Sequence, residues 1–262
     1  MTRIYSLVNQ KGGVGKTTTA INLGAFLGQF GQKVLLVDLD PQANATSSLG
    51  INKYTVESGT YEMLIGDHTT PNILHNPKLK LSLLPSSPSL AGAEIELIDT
   101  PKREFRLREI LKAFSDRYDY ILIDCPPSLS LLTVNGLMAA RDGVLIPVQC
   151  EYLALEGIGQ LTQTLNRIRA SLYPELKIRG VILTMFDGRT NLATDVVNEV
   201  RKVFPNQVLQ AIIPRSIRLA EAPSYGLPIT NYAPESNAAK SYAALAREIM
   251  VQDGVSISPF VE

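Results

Sequence analysis

At 262 residues with 45% apolar content, the chain can bury a full α/β core as one domain without disulfide or metal staples. Lysine plus arginine and aspartate plus glutamate both number 25, so the net charge is zero and any nucleic-acid contact has to come from a local patch. Cys125 and Cys150 show no metal-ligand spacing, the start lacks a secretion pattern, and no apolar run reaches the roughly 18 residues of a membrane span; the expectation is a cytoplasmic protein with buried, reduced thiols.

Ile4 to Asn9 reads as a short buried strand, and Thr17 to Phe30 as a helix closed by Gly31. Between them lies Lys11-Gly12-Gly13-Val14-Gly15-Lys16-Thr17-Thr18, in the strand–loop–helix context that a phosphate-cradling loop requires. Glycines at 12, 13 and 15 free the backbone to turn its N–H groups toward phosphate oxygens at the positive helix end. Lys16 is expected to reach the β- and γ-phosphates, Thr17 to ligate Mg²⁺ and Thr18 to touch the α-phosphate. The general pattern wants glycine where Gln10 stands, so this is the deviant form with a lysine directly before the glycines, as in the ParA/MinD group of P-loop ATPases.

Lys33 to Leu39 is a second apolar strand, delivering Asp38 and Asp40 to one sheet edge; strand alternation places both on the same face, where one can orient an attacking water. A short helix near Ala43 to Leu49, a helix near Val56 to Ile65, a strand at Leu81 to Leu84 and a loop at Ser86 to Ser89 follow. Arg103 to Phe114 reads as a helix with a solvated basic face. Tyr120 to Asp124 is a third acid-tipped strand, and Asp124 fits a Walker B acid holding Mg²⁺ through water. Beyond it come a helix at Leu131 to Ala140, a strand at Gly143 to Val148, and a helix at Leu153 to Leu172 whose stripe of Leu155, Ile158, Leu161, Leu165 and Ile168 is core. Strands at Arg179 to Thr184 and Val208 to Ile213 flank a helix near Leu192 to Phe204, and Ser236 to Val251 forms the last helix. Apolar strands alternating with helices predict a doubly wound, mostly parallel α/β sheet with helices on both faces, of P-loop NTPase type.

The loop, VDLDPQAN at 37–44, ILIDCPPS at 121–128, EYLALEG at 151–157 and IPRSIRLAEAPSYGLPI at 213–229 together resemble the ParA/Soj family of partitioning ATPases over nearly the whole chain. The resemblance implies an ATP-sandwich homodimer in which Lys11 reaches the partner's phosphates as a trans charge, and in which a side chain at Gly12 would collide. It also implies that Asp40 positions the attacking water, that Asp38 helps organise the Mg²⁺ shell, and that Pro214 and Ser216 lie near the adenine. Arg189 and Arg218 match the family's DNA-contacting arginines. ATP would favour a dimer bound to double-stranded DNA without sequence preference on the nucleoid, and a ParB-like partner would stimulate hydrolysis and release it. A membrane-cycling positioner of the MinD kind shares the loop but needs a basic amphipathic tail, whereas SYAALAREIMVQDGVSISPFVE has one arginine and no lysine; no membrane partner is expected. A reductase resembling the nitrogenase iron protein needs paired cluster cysteines, and Cys125 inside the Walker B stretch is misplaced for that.

Overall fold

The computed structural model describes residues 1–66, 73–152 and 154–256. Strands β1 (Arg3–Leu7), β2 (Val34–Asp38), β3 (Leu74–Asn76), β4 (Leu81–Leu84), β5 (Tyr120–Asp124), β6 (Gly143–Gln149) and β7 (Ile178–Thr184) make one seven-stranded sheet, ordered β3-β4-β2-β5-β1-β6-β7. Neighbours are parallel except β3, an antiparallel edge strand on β4 that the sequence reading missed. Alternation sorts the strand side chains into two cores. Tyr5, Leu7, Val34, Leu36, Tyr120 and Leu122 face α1 (Lys16–Gln29) and α11 (Asn237–Gln252). Ile4, Leu35, Val37, Ile121 and Ile123 face α5 (Arg106–Leu111), α6 (Leu131–Ala139), α7 (Ala154–Ser171) and α8 (Asn191–Val203). On α7, Ile158, Leu161, Leu165 and Ile168 are buried as the stripe required, while residue 153 and the side chain of Leu155 lie outside the described structure. Cys125 and Cys150 are buried free thiols, and burial pushes the Cys150 thiol up to about 11.

Helix α1 ends because Gly31 takes φ +86: its N–H reaches Gly28 O at 3.1 Å and the Gln32 N–H reaches Leu27 O at 3.0 Å, a Schellman closure. One turn earlier, Gly28 lies so close to the β3–β4 connection that an added Cβ would sit 2.1 Å from the Lys80 carbonyl oxygen. Backbone there cannot yield cheaply, so Gly28→Ala is expected to destabilise by about 2–3 kcal/mol despite alanine's better helix propensity. Urea unfolding with an unchanged m-value checks this.

The structure departs from the sequence reading in definite places. Residues 208–213 are not a strand, because the Gln210 N–H (2.8 Å) and the Ala211 N–H (3.0 Å) donate to the Glu248 carboxylate of α11 rather than to β7. Only intermittent bonds reach β7, among them Leu209 N–H to Val181 O at 2.9 Å and Ile213 N–H to Leu183 O at 2.9 Å. The segment 103–114 is broken into a 3-10 turn, α5 and a second 3-10 turn. Asn135 of α6 interrupts it, accepting the Leu107 N–H at 3.0 Å and donating to Arg103 O at 2.9 Å. Its basic face is partly spent as well: Arg106 Nε donates to Leu64 O at 3.0 Å and the Arg108 guanidinium lies 5.4 Å from the Tyr173 ring centre. The helix expected from Val56 begins only at Thr60, as α3 (Thr60–Ile65). Three short helices were not anticipated: α4 (Leu90–Glu96), α9 (Ile217–Glu221) and α10 (Ile229–Tyr232). The short helix after Asp40 is present as α2 (Asn44–Ser48).

Candidate nucleotide site

β1, β2 and β5 are adjacent and in register at their carboxyl ends, with Leu7 and Asp38 both opposite Asp124. The phosphate loop, Asp38 and Asp124 therefore converge at one sheet edge, where open α/β sheets bind ligands. Gly13 and Gly15 take φ +75 and +87, which a side chain would strain, and Gly15 caps the amino end of α1. The loop is held from outside: Thr184 Oγ1 of β7 donates to Val14 O at 2.8 Å, and Gln10 Nε2 donates to Thr164 Oγ1 of α7 at 2.9 Å. Gln10, which breaks the general loop pattern, thus serves as a tether. A Cβ on Gly12 would meet nothing within 4 Å, so no contact among the described residues requires glycine there.

Lys16 is 7% exposed and folds back so that its Nζ donates to Lys11 O at 3.3 Å. Burial lowers the ammonium pKa, against the opposing pull of Asp124, Cys125 and Asp40. Asp124 is fully buried and neither carboxylate oxygen has a hydrogen-bond partner among the described residues; the Thr17 hydroxyl lies beside it without meeting hydrogen-bond geometry. Burial pushes that carboxyl well above the usual range, with Asp38 adding to the rise and Lys16 countering it. Two orphaned carboxylate oxygens beside a cation and a hydroxyl fit a bound divalent ion, since an unpaired buried acid is otherwise costly. No cluster of three or more acidic, histidine or cysteine side chains suited to a metal exists among the described residues. A hard ion here would take its remaining ligands from water and phosphate, as Mg²⁺ does.

Asp38 and Asp40 part company. Asp38 ends β2 with its carboxylate occupied: Oδ1 accepts the Asp40 N–H at 3.2 Å, and Oδ2 accepts the Thr46 N–H at 2.8 Å and the Thr46 hydroxyl at 2.7 Å. Burial raises it to about 6, with those bonds opposing. Asp40 lies beyond the strand in a turn closed by Ala43 N–H to Asp40 O at 2.8 Å, so the shared strand face expected for the two acids does not exist. Its Oδ1 accepts the Gln42 N–H at 2.9 Å, and the residue lines the cavity with Gly12, Gly13, Gly15, Lys16, Thr17 and Thr18.

That cavity measures about 330 Å³. A second, of about 290 Å³, is lined by Pro214 and Ser216 and shares Gly15, Thr18, Met185 and Leu219 as walls with the first. The two cavities are thereby joined along one wall. Sequence reasoning missed Thr184, Met185 and Leu219; the first two directly follow the β7 hydrophobic run, the position at which such sheets present ligand-facing residues.

Lys11 is half-buried, and its ammonium makes no hydrogen bond or ion pair among the described residues; its backbone N–H donates to Asn9 Oδ1 at 3.0 Å. Arg189 and Arg218 lie away from the cavity and are exposed. Arg189 forms a forked pair with Asp187 (Nη2–Oδ2 2.6 Å, Nε–Oδ1 2.8 Å), and holds that carboxyl far below its usual range. Arg218 pairs with Glu221 at 3.1 Å. The Phe186–Pro214 bridge brings the segments that lead into Arg189 and into α9, which carries Arg218, side by side.

A family profile described as an AAA domain matches residues 2–178. The chain is 52% identical over 250 residues to the sporulation initiation inhibitor protein Soj of Bacillus subtilis, covering 95% of this chain and 98% of that one. It is 52% identical over 252 residues to the chromosome partitioning protein ParA of Myxococcus xanthus, covering 96% and 89% respectively. Among solved structures, cobyrinic acid a,c-diamide synthase from Mycobacterium smegmatis with bound ADP and magnesium superposes with TM-score 0.84 at 36% identity over the whole of both chains. With its deviant phosphate loop, its acid-tipped parallel strands and relatives of this kind over nearly its full length, the chain belongs to the ParA/Soj family of partitioning P-loop ATPases.

Proposed function

We propose that the chain is a single-domain, Mg²⁺-dependent ATPase that forms an ATP-sandwich homodimer, binds double-stranded DNA without sequence preference in that form, and is released when a ParB-like partner stimulates hydrolysis. It would act in the cytoplasm, on the nucleoid. The observation that carries this reading is Lys11: a cation whose ammonium has no partner among the described residues, at the start of a loop whose own lysine is Lys16. A partner's phosphates supply what it lacks, and the empty space around Gly12 is where a second loop can approach.

Within one protomer Lys16 and the loop amides hold the phosphates, Thr17 and Asp124 hold Mg²⁺, Thr18 holds the α-phosphate, and Pro214 and Ser216 border the base. The ion, when bound, neutralises charge developing on the phosphates. Asp40 orients the attacking water. Asp38, the other acid assigned to the metal, acts at most through water, because its oxygens already accept protein donors. A neighbour at 36% identity binding ADP and magnesium supports the ligand set, and the curated relatives' names support the cargo. A membrane-cycling role needs a free amphipathic C-terminal helix. Here α11 buries Tyr242, Leu245, Ile249 and Met250 in the core, while residues 257–262 of the tail lie outside the described structure.

The test is retention of random-sequence DNA with ATP, with ADP and with no nucleotide; retention with ATP alone is expected, and retention without nucleotide would count against the cycle. Arg189 and Arg218 are proposed to face the DNA phosphates. Their acid partners Asp187 and Glu221 lie at the surface, where such pairs are weak and salt-screened, so each guanidinium can exchange its carboxylate for phosphate. Arg189→Ala or Arg218→Ala is expected to weaken retention equally on all sequences and to reduce the salt slope by about 1 per contact removed, with ATP affinity unchanged. Titration at several salt concentrations measures both.

A further inference from the structure

Three hydroxyl side chains with no exposed surface surround the turn that presents Asp40: Thr46, Thr60 and Ser86. Ser86, just beyond β4, donates its Oγ–H to Asp40 O at 2.8 Å and its N–H to Thr46 Oγ1 at 2.9 Å. Thr46 in turn donates a hydrogen bond from its hydroxyl to Asp38 Oδ2 at 2.7 Å, and Asp38 Oδ1 accepts the Asp40 N–H at 3.2 Å. Thr60 Oγ1 fixes the preceding peptide by donating to Asp38 O at 2.8 Å. Asp40 is thus held at both its N–H and its C=O by a closed circuit of side-chain bonds running through the end of β2, α2 and the loop after β4. The turn needs such support, because Ala43, fully buried, is held at φ +51. A non-glycine residue there costs about 1–3 kcal/mol and persists only where its surroundings over-determine it.

We propose that Ser86 and Thr46 are positioning residues for hydrolysis, and that Asp38 is the keystone of the Asp40 turn. The proposal rests on the ATPase reading above. Ser86 touches neither cavity. Its hydroxyl bonds the Asp40 carbonyl and no ligand-facing group, so removing that hydroxyl should alter turnover and leave nucleotide binding alone. A displacement of order 1 Å at a group that orients a reactant can cost about 10²-fold in rate.

The experiment measures ATP turnover, affinity for a fluorescent ATP analogue, and amide hydrogen exchange at Gln42 and Ala43 in the full chain. Ser86→Ala and Thr46→Val are expected to lower kcat by roughly 10–100-fold, with KM and nucleotide affinity within about twofold of wild type, whereas Thr46→Ser, which keeps the hydroxyl, retains near wild-type kcat. Exchange at Gln42 and Ala43 should rise at least roughly tenfold in Ser86→Ala, since both amides belong to the released turn. Wild-type kcat in Ser86→Ala, or parallel losses of kcat and nucleotide affinity that Thr46→Ser shares, would overturn the positioning role. If the wild-type chain hydrolyses no ATP, the ATPase reading fails while the exchange measurement still decides whether Ser86 holds the turn; unchanged exchange overturns that part too.

Discussion

Lys11→Ala is expected to leave ATP binding within about threefold of wild type while abolishing the ATP-dependent dimer and lowering turnover by at least about 10³-fold, the scale of a lost trans-acting cation. The separation follows from how Lys11 serves its own loop. Its N–H donates to Asn9 Oδ1 at 3.0 Å and its carbonyl accepts from Lys16 Nζ at 3.3 Å; both bonds use the Lys11 backbone, which alanine keeps. What alanine removes is an ammonium with no partner among the described residues of the protomer. The loop's glycine turns and the Thr184 and Gln10 tethers are untouched, so the protomer's own phosphate cradle survives. Sedimentation with ATP and titration with a fluorescent analogue read the two properties separately, and a normal ATP dimer in the variant would remove the reason for reading Lys11 as a trans residue.

The strands and the phosphate loop were legible because they are local. β2, β4, β5 and β7 are apolar runs ended by acids, prolines or loop residues, and burial on both faces of a parallel sheet demands such runs. What was not legible depends on side chains far away in sequence. Nothing in residues 208–213 says that Glu248 will take their amides, and nothing in residues 103–114 says that Asn135 will interrupt the helix. The site divides the same way. Asp124 and the loop were placed by pattern, but the difference between Asp38 and Asp40 was hidden: it depends on Thr46 turning its hydroxyl toward one carboxylate and on Ser86 grasping the other residue's carbonyl. The two acids look equivalent in DLD, yet Asp38 is bonded on both oxygens, whereas Asp40 accepts the Gln42 N–H on Oδ1 and lines the cavity.

That inequality sets the second large effect. Asp40→Ala should lose about 10²–10⁴-fold in turnover, the range for removing a group that handles the attacking water's proton, and should accumulate as an ATP dimer on DNA. Its structural cost is small: among the described residues Asp40 Oδ1 holds only the Gln42 N–H at 2.9 Å, worth about 1 kcal/mol, and the bonds from Ser86 and Ala43 go to the Asp40 carbonyl, which alanine retains. Nucleotide affinity, dimer lifetime and DNA retention with ATP are the measurements, and wild-type turnover in this variant would end the assignment. Lys11→Ala and Asp40→Ala thus fail on opposite sides of dimerisation, one unable to enter the ATP-bound dimer and the other unable to leave it. Because entry precedes exit, the double variant should behave as Lys11→Ala alone, monomeric with ATP and free of DNA. A double variant that instead remained dimeric on DNA would mean that Lys11 serves hydrolysis and not assembly.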